Sequence, residues 1–249
     1  MTLPADRRFD AGWRARFERF GSTYVDEASI SGWSAGGLSR RSRLLRRLLA
    51  DLGIAPGLTL ELGCGPGTHV RFLAGQGHRV IGVDYSVPTL RRAVEADPDG
   101  SGRYVGGDGY ALPFRAGAFD AVLCLGVLQA VARPEHVVDE IARVLRRGGI
   151  VVLETLNSRA MPTLVRRVVE VASGRPAHLR AHAPARVAAW LAARGVRVLR
   201  RVPVYLPPRG WPALGWLLDR RAVGAVLDTA PGVAIAAAHA FWFVGSKRA

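Results

Sequence analysis

A chain of 249 residues, 49% apolar and 22% charged, is ordinary for a globular protein and long enough for one sizeable core, or for a core with an insertion. No uninterrupted apolar run reaches the ~18 residues of a membrane span; the most apolar late segment, Val233 to Val244, is short and contains His239. The net charge of +15 would suit nucleic acid, an anionic membrane or an acidic substrate, yet Lys247 is the only lysine among 35 basic residues, a bias of codon choice rather than of a selected binding surface.

Met1 to Asp10 carries charges but no apolar h-region, so no secretory signal is expected. Phe9, Trp13, Phe17 and Phe20 then recur at helical spacing, predicting a short amphipathic helix over 9–20 that Gly21 ends. After the Gly/Ser-rich stretch Ser29 to Ser39, Leu44, Leu45, Leu48, Leu49 and Leu52 form one face of a second helix with Gly53 as its stop. From Leu58 the pattern alternates: strands at Leu58 to Leu62, Arg79 to Val83, Tyr104 to Val105, Ala121 to Leu125 and Ile150 to Leu153, and helices at Thr68 to Ala74, Pro88 to Ala96 and Pro134 to Arg147. Short apolar strands alternating with helices predict a doubly wound α/β fold, its parallel sheet covered on both faces. Beyond Asn157 come helices at Pro162 to Ala172 and Pro184 to Arg194, and strands at Val196 to Leu206 and Phe241 to Gly245. An insertion at about 207–235, with Pro207, Pro208, Trp211, Trp216 and Leu217, interrupts the pattern. Arginine pairs such as Arg46-Arg47 and Arg146-Arg147 fall on helices and loops without interleaved aromatics, so they read as a solvated face rather than a stacking platform. Cys64 and Cys124 form no CxxC pair, which points to a reducing cytoplasm.

Three motifs carry chemistry. Glu61-Leu62-Gly63-Cys64-Gly65-Pro66-Gly67-Thr68 lies between a strand and a helix, where glycines let the backbone turn tightly and approach a ligand. A dinucleotide fingerprint would place a third glycine where Thr68 stands. Asp84, with Tyr85, ends the next strand, where a carboxylate can accept from both hydroxyls of a nucleoside ribose. Asp108-Gly109-Tyr110 follows the third strand; Asp108 could read an adenine amino group or merely close an Asp-Gly turn.

Together with Phe119-Asp120-Ala121-Val122-Leu123 and Ile141 to Gly149, these ordered motifs over about 58–156 resemble the class I S-adenosylmethionine-dependent methyltransferases, in particular the ubiquinone/menaquinone-biosynthesis-like small-molecule branch. The resemblance implies a Rossmann-like, mostly parallel seven-stranded sheet whose last strand, near Phe241 to Gly245, inserts antiparallel. It further implies an N-terminal helical cap over 1–53, a core over 54–249, and S-adenosyl-L-methionine as cofactor. On that basis Gly63, Cys64, Gly65 and Gly67 would line the methionine and ribose portion, with Glu61 near the amino group. Asp84 would hold the ribose diol, Tyr85 would pack beside adenine, and Asp108 and Gly109 would read its edge. The backbone around Leu125 would face the methionine end. An acidic site of this kind suits a positive sulfonium and repels a pyrophosphate, which favours the methyl donor over a nicotinamide dinucleotide.

The chain departs from the family at Gln129-Ala130, where many relatives carry a Glu-His or similar pair. Methyl transfer needs alignment and water exclusion more than acid–base work, but a hydroxyl acceptor profits from a base. His178 and His182 are the candidates for that role, although a lone histidine is more often a surface or packing residue. Tyr110, Gln129 and Asn157 are candidate acceptor-pocket residues. Trp13, Phe17 and Tyr24 belong either to a lid over the cofactor or to simple core packing. Cys64 is a small residue in a tight loop with no histidine flanking it to activate a thiolate. No metal site is expected. The expected acceptor is a small organic molecule of apolar, anionic or lipid-linked character, methylated at O, N or C. The alternatives are an RNA or protein methyltransferase of the same fold, or a cofactor-binding module without catalysis. No Asn-Pro-Pro-Tyr-type tetrad supports the first of these, since Tyr205-Leu206-Pro207-Pro208 is not one.

Overall fold

The computed structural model describes residues 5–174, 179–205 and 231–248. Three helices come first: α1 (Ala5–Thr23), α2 (Glu27–Ile30) and α3 (Ala35–Leu52). Then β1 (Leu58–Leu62), α4 (Thr68–Ala74), β2 (Arg79–Asp84), α5 (Val87–Glu95), β3 (Gly102–Gly106), β4 (Phe119–Cys124), α6 (Pro134–Val144) and β5 (Leu145–Leu156) alternate. The chain closes with α7 (Met161–Ala172), α8 (Pro184–Ala193), β6 (Val196–Val204), α9 (Pro231–Ala237) and β7 (Ala240–Lys247).

The strands form one seven-stranded sheet in the order β3-β2-β1-β4-β5-β7-β6. Pairing is parallel from β3 to β5, and β7 runs antiparallel to both β5 and β6. This is the doubly wound, mostly parallel sheet with an inserted antiparallel last strand that the motifs imply. Side chains alternate across it as the pleat requires. Val122, Leu153 and Phe243 pack on one face with Val137 and Ile141 of α6 and Leu191 of α8. Leu123, Val152 and Trp242 pack on the other with Leu45 and Leu48 of α3 and Val70 and Leu73 of α4. Strand order reverses between β1 and β4, so the loops leaving their C-terminal ends diverge to opposite faces and open a crevice there.

Several element boundaries differ from the sequence reading. Gly21 does not stop α1, which runs on to Thr23. A Cβ at Gly21 would stand 2.5 Å from the Thr89 backbone nitrogen, so the glycine permits α1 to lie directly on the start of α5. The second helix starts earlier than Leu44, inside the Gly/Ser-rich stretch: Asp26 and Ser34 cap α2 and α3, their side chains accepting from the Ser29 and Gly37 N–H groups. Gly53 does end α3, at φ +55°. Helix α6 ends at Val144, and the segment through Gly148-Gly149 is already strand, because Leu145 pairs with Phe119 at the foot of β4. Of the expected insertion, only 231–235 lies in the described residues, as part of α9; Pro207, Pro208, Trp211, Trp216 and Leu217 lie outside them. Among the described residues no helix is long and apolar enough to cross a membrane.

Candidate functional site

The crevice at the C-terminal ends of β1, β2 and β4 encloses about 950 Å³, counted out to its open mouth. Its floor follows from the local sequence. Leaving β1, the chain turns through Gly63 and Gly65 at φ +72° and +54°, values that side chains other than glycine adopt with strain. The N–H groups of Gly63 and Cys64 both donate to the Val83 carbonyl, at 2.7 and 3.0 Å, which folds the turn against β2. A Cβ on Gly63 would meet Val127 Cγ2 at 2.3 Å, whereas one on Gly65 would meet only Ser31 Oγ, at 3.4 Å. Gly65 therefore leaves its backbone open to the crevice.

Asp84 ends β2 beside this turn. The Gly65 N–H donates to its Oδ2 at 3.1 Å and the Ser86 N–H to its Oδ1 at 2.9 Å, fixing the plane of the carboxylate. Burial raises its pKa, opposed by those two N–H groups and reinforced by the charge of Glu61. Glu61, on β1, is buried; its Oε1 accepts from His69 Nδ1 at 3.0 Å, and its Oε2 has no hydrogen-bond partner among the described residues. Burial, with Asp84 and Glu61 adding negative charge, pushes the Cys64 thiol well up, so Cys64 is an inert filler of the turn.

Helix α1 forms the roof. Asp10, Arg14 and Phe17, one stripe at helical spacing, line the crevice. Arg14 pairs with Asp108 and stacks over the Tyr85 ring at 4.9 Å, while Phe17 meets the same ring edge-on at 6.2 Å. Asp10 accepts from the Tyr110 hydroxyl and, at 2.7 Å, from the Ala132 N–H. Tyr110, its pKa raised to about 12 chiefly by burial, also accepts from the Arg133 N–H. Asp6 extends this seam by pairing with Arg133 and Arg180. A second roof element is Trp33. Gly126, at φ +77°, has no Cβ and must have none, because it would stand 2.8 Å from the indole. The Arg41 guanidinium lies 4.4 Å over that indole and is anchored by Glu154 on β5 at 2.8 Å, both members of the pair being buried.

The crevice thus gathers Glu61, Gly63, Cys64, Gly65, Asp84, Tyr85, Asp108, Gly109, Tyr110 and Leu125 of the expected site. It does not gather all. Gly67 does not line it; at φ +77° it faces Tyr104, whose hydroxyl would touch a Cβ there. Tyr24 packs on Phe20 away from the crevice, and Trp13 packs on Phe17. Gln129 is buried beside Gly126 without lining the crevice. Asn157 is buried and its amide donates to the Ile235 and Ala238 carbonyls, tying β5 to the segment before β7. His182 is also outside the crevice: Nδ1 faces Thr155 Oγ1 at 3.0 Å, the ring meets Trp190, and burial holds its pKa down at about 4. His178 lies outside the described residues.

Residues of the crevice not singled out in the sequence include Asp10, Arg14, Ser31, Trp33, Leu38, Thr68 and His69. The polar pair Asp10 and Arg14 in register with Phe17 was a usable signal. Trp33 gave none, because its site forms only when α3 docks on β5.

Residues 60–153 match the family described as methyltransferase domain. The chain is 31% identical over 150 residues to a malonyl-[acyl-carrier protein] O-methyltransferase of Salmonella typhimurium, covering 60% of this chain and 55% of that protein. It is 34% identical over 115 residues to a demethylmenaquinone methyltransferase of Renibacterium salmoninarum, covering 45% and 48%. The chain therefore spans about half the length of the curated relatives it matches. Among solved structures, magnesium protoporphyrin IX methyltransferase from Synechocystis superposes with a TM-score of 0.65 at 16% identity, covering 97% of each chain, which shows the shared fold. The segment that builds the crevice floor is thus similar to a methyltransferase domain.

Proposed function

We propose that the protein transfers a methyl group from S-adenosyl-L-methionine to a small organic acceptor, with residues 1–53 serving as a cap over the site. The observation that carries this reading is the charge of the crevice: Asp10, Glu61, Asp84 and Asp108 line it, and Arg14, the one arginine in its lining among the described residues, is paired with Asp108. Such a lining attracts a sulfonium and disfavours a pyrophosphate. The residues fit the cofactor on two further counts, the bare backbone at Gly65 and the unpartnered Oε2 of Glu61.

In this reading Asp84, its plane held by Gly65 and Ser86, accepts from the two ribose hydroxyls. Tyr85, its ring met edge-on by Phe17, packs beside the adenine, and Asp108 with Gly109 reads the adenine edge while Arg14 balances the Asp108 charge. Gly63 and Gly65 let the ribose and methionine portion lie against the backbone, Glu61 meets the ammonium group, and the backbone at Leu125 faces the methionine end. The bound cofactor supplies an electrophilic methyl group on sulfur. The protein contributes alignment and exclusion of water, through Trp33, Leu38, Val127 and Val131, whose apolar surfaces favour an apolar acceptor. The placement of His182 gives no support to its use as a base. Free, buried Cys64 and Cys124 suit a cytoplasmic setting.

The test is to incubate the protein with methyl-labelled cofactor and an extract of its own cells. Label is expected in a small-molecule fraction; label confined to RNA or protein, or none in any fraction, would overturn the reading.

A further inference from the structure

The mechanism above uses Glu61 but not the group that grips it. His69 is the second residue of α4, it lines the crevice, and it is buried. A carboxylate only accepts, so at 3.0 Å His69 Nδ1 donates to Glu61 Oε1. Its Nε2 faces the Ser42 hydroxyl of α3 at 3.5 Å. The ring is flanked by Trp33 at 6.3 Å, and the residue before it, Thr68, donates to Glu27 of α2 at 2.6 Å. The imidazole is thus held between Glu61 of β1, Ser42 of α3 and Trp33 of the α2–α3 connection, and through it one oxygen of Glu61 is committed. The other, Oε2, is buried and unsatisfied. A buried carboxylate oxygen without a donor is costly, and a ligand bearing N–H groups removes that cost on binding.

We propose that His69 is a positioning residue for the aminoacyl end of the cofactor: by holding Oε1 it fixes the Glu61 carboxylate so that Oε2 receives the ammonium group. The proposal rests on the cofactor reading above and deepens it. Without the imidazole the carboxylate is free to rotate, and the preorganised acceptor is lost. The effect is confined to ligands that carry the amino acid portion, which a general loosening of the fold would not do.

The experiment is calorimetric titration of the full chain with two ligands, S-adenosyl-L-homocysteine and 5′-methylthioadenosine, which shares the adenosine but lacks the amino acid. His69→Ala is expected to weaken the first by about tenfold, the scale of one hydrogen bond to a charged group, and the second by less than about twofold. His69→Asn, whose amide N–H stands near the position of Nδ1, is expected to restore most of the loss and serves should the alanine variant not fold. Equal weakening of both ligands, no weakening of either, or failure of asparagine to restore discrimination would overturn the proposal. Wild-type protein that binds neither ligand would instead sink the cofactor reading itself.

Discussion

The floor and the roof of the crevice are made in different ways. The floor is local: Glu61 to Gly65 and Asp84 lie on adjacent parallel strands, and its turn is fixed by backbone hydrogen bonds to Val83 and by the Gly65 N–H on the Asp84 carboxylate. The roof is assembled from afar. Arg14 reaches Asp108, Asp10 reaches Ala132, and Arg41 reaches Glu154 on β5. A local floor has few ways to form wrongly and tolerates few substitutions. A roof tied by side chains can be trimmed contact by contact, and its ties should govern how fast ligand leaves more than whether the site exists.

Substitutions at the two regions should separate these roles. The largest effect is expected on the floor: Gly63→Val combines a disfavoured φ with a Cβ placed 2.3 Å from Val127, and should cost several kcal/mol, seen as loss of folded protein or of all cofactor binding in a thermal-shift assay. Arg41→Ala comes next. Leaving the Glu154 charge buried without its partner should destabilise by about 3 kcal/mol in urea unfolding, because the pair is almost wholly shielded from water. Asp84→Ala should weaken S-adenosyl-L-homocysteine by roughly a hundredfold in calorimetry, for the loss of two charge-assisted hydrogen bonds. A smaller effect belongs to Asp10→Ala, which should lower stability by about 1 kcal/mol and speed ligand release in stopped flow while leaving the floor intact. A floor substitution that merely speeds release, or a roof substitution at Asp10 that abolishes binding, would erase the distinction.

Acid should act through buried histidines as well. Burial holds His182 and His239 at about 4 when folded, against 6.5 for the ordinary imidazole. The unfolded chain therefore takes up these protons first, and stability is expected to fall as pH drops from about 6.5 towards 4. His182→Gln should flatten part of that decline in urea titrations at successive pH values. An unchanged slope would mean that His182 does not resist protonation.

The sequence was legible where structure is short-range. Glycine spacing, Asp84 and the apolar strand runs announced the floor and the doubly wound sheet, because each is dictated by backbone conformation or strand burial within a few residues. Trp33 and His69 were not legible, since their roles exist only once α2 and α3 pack beside the C-terminal end of β1. His182 and Asn157 misled for the opposite reason: polar residues near a strand end look functional, yet here they satisfy Thr155 and two backbone carbonyls inside the fold. Gly21 misled as a helix stop because its neighbour in space, Thr89, is far away in sequence.

The central claim is that the acidic, glycine-floored crevice holds an adenosyl sulfonium compound, and calorimetry of the wild-type chain addresses it directly. One binding site is expected for S-adenosyl-L-homocysteine, with no heat from a nicotinamide dinucleotide. Heat from the dinucleotide and none from S-adenosyl-L-homocysteine would contradict the account.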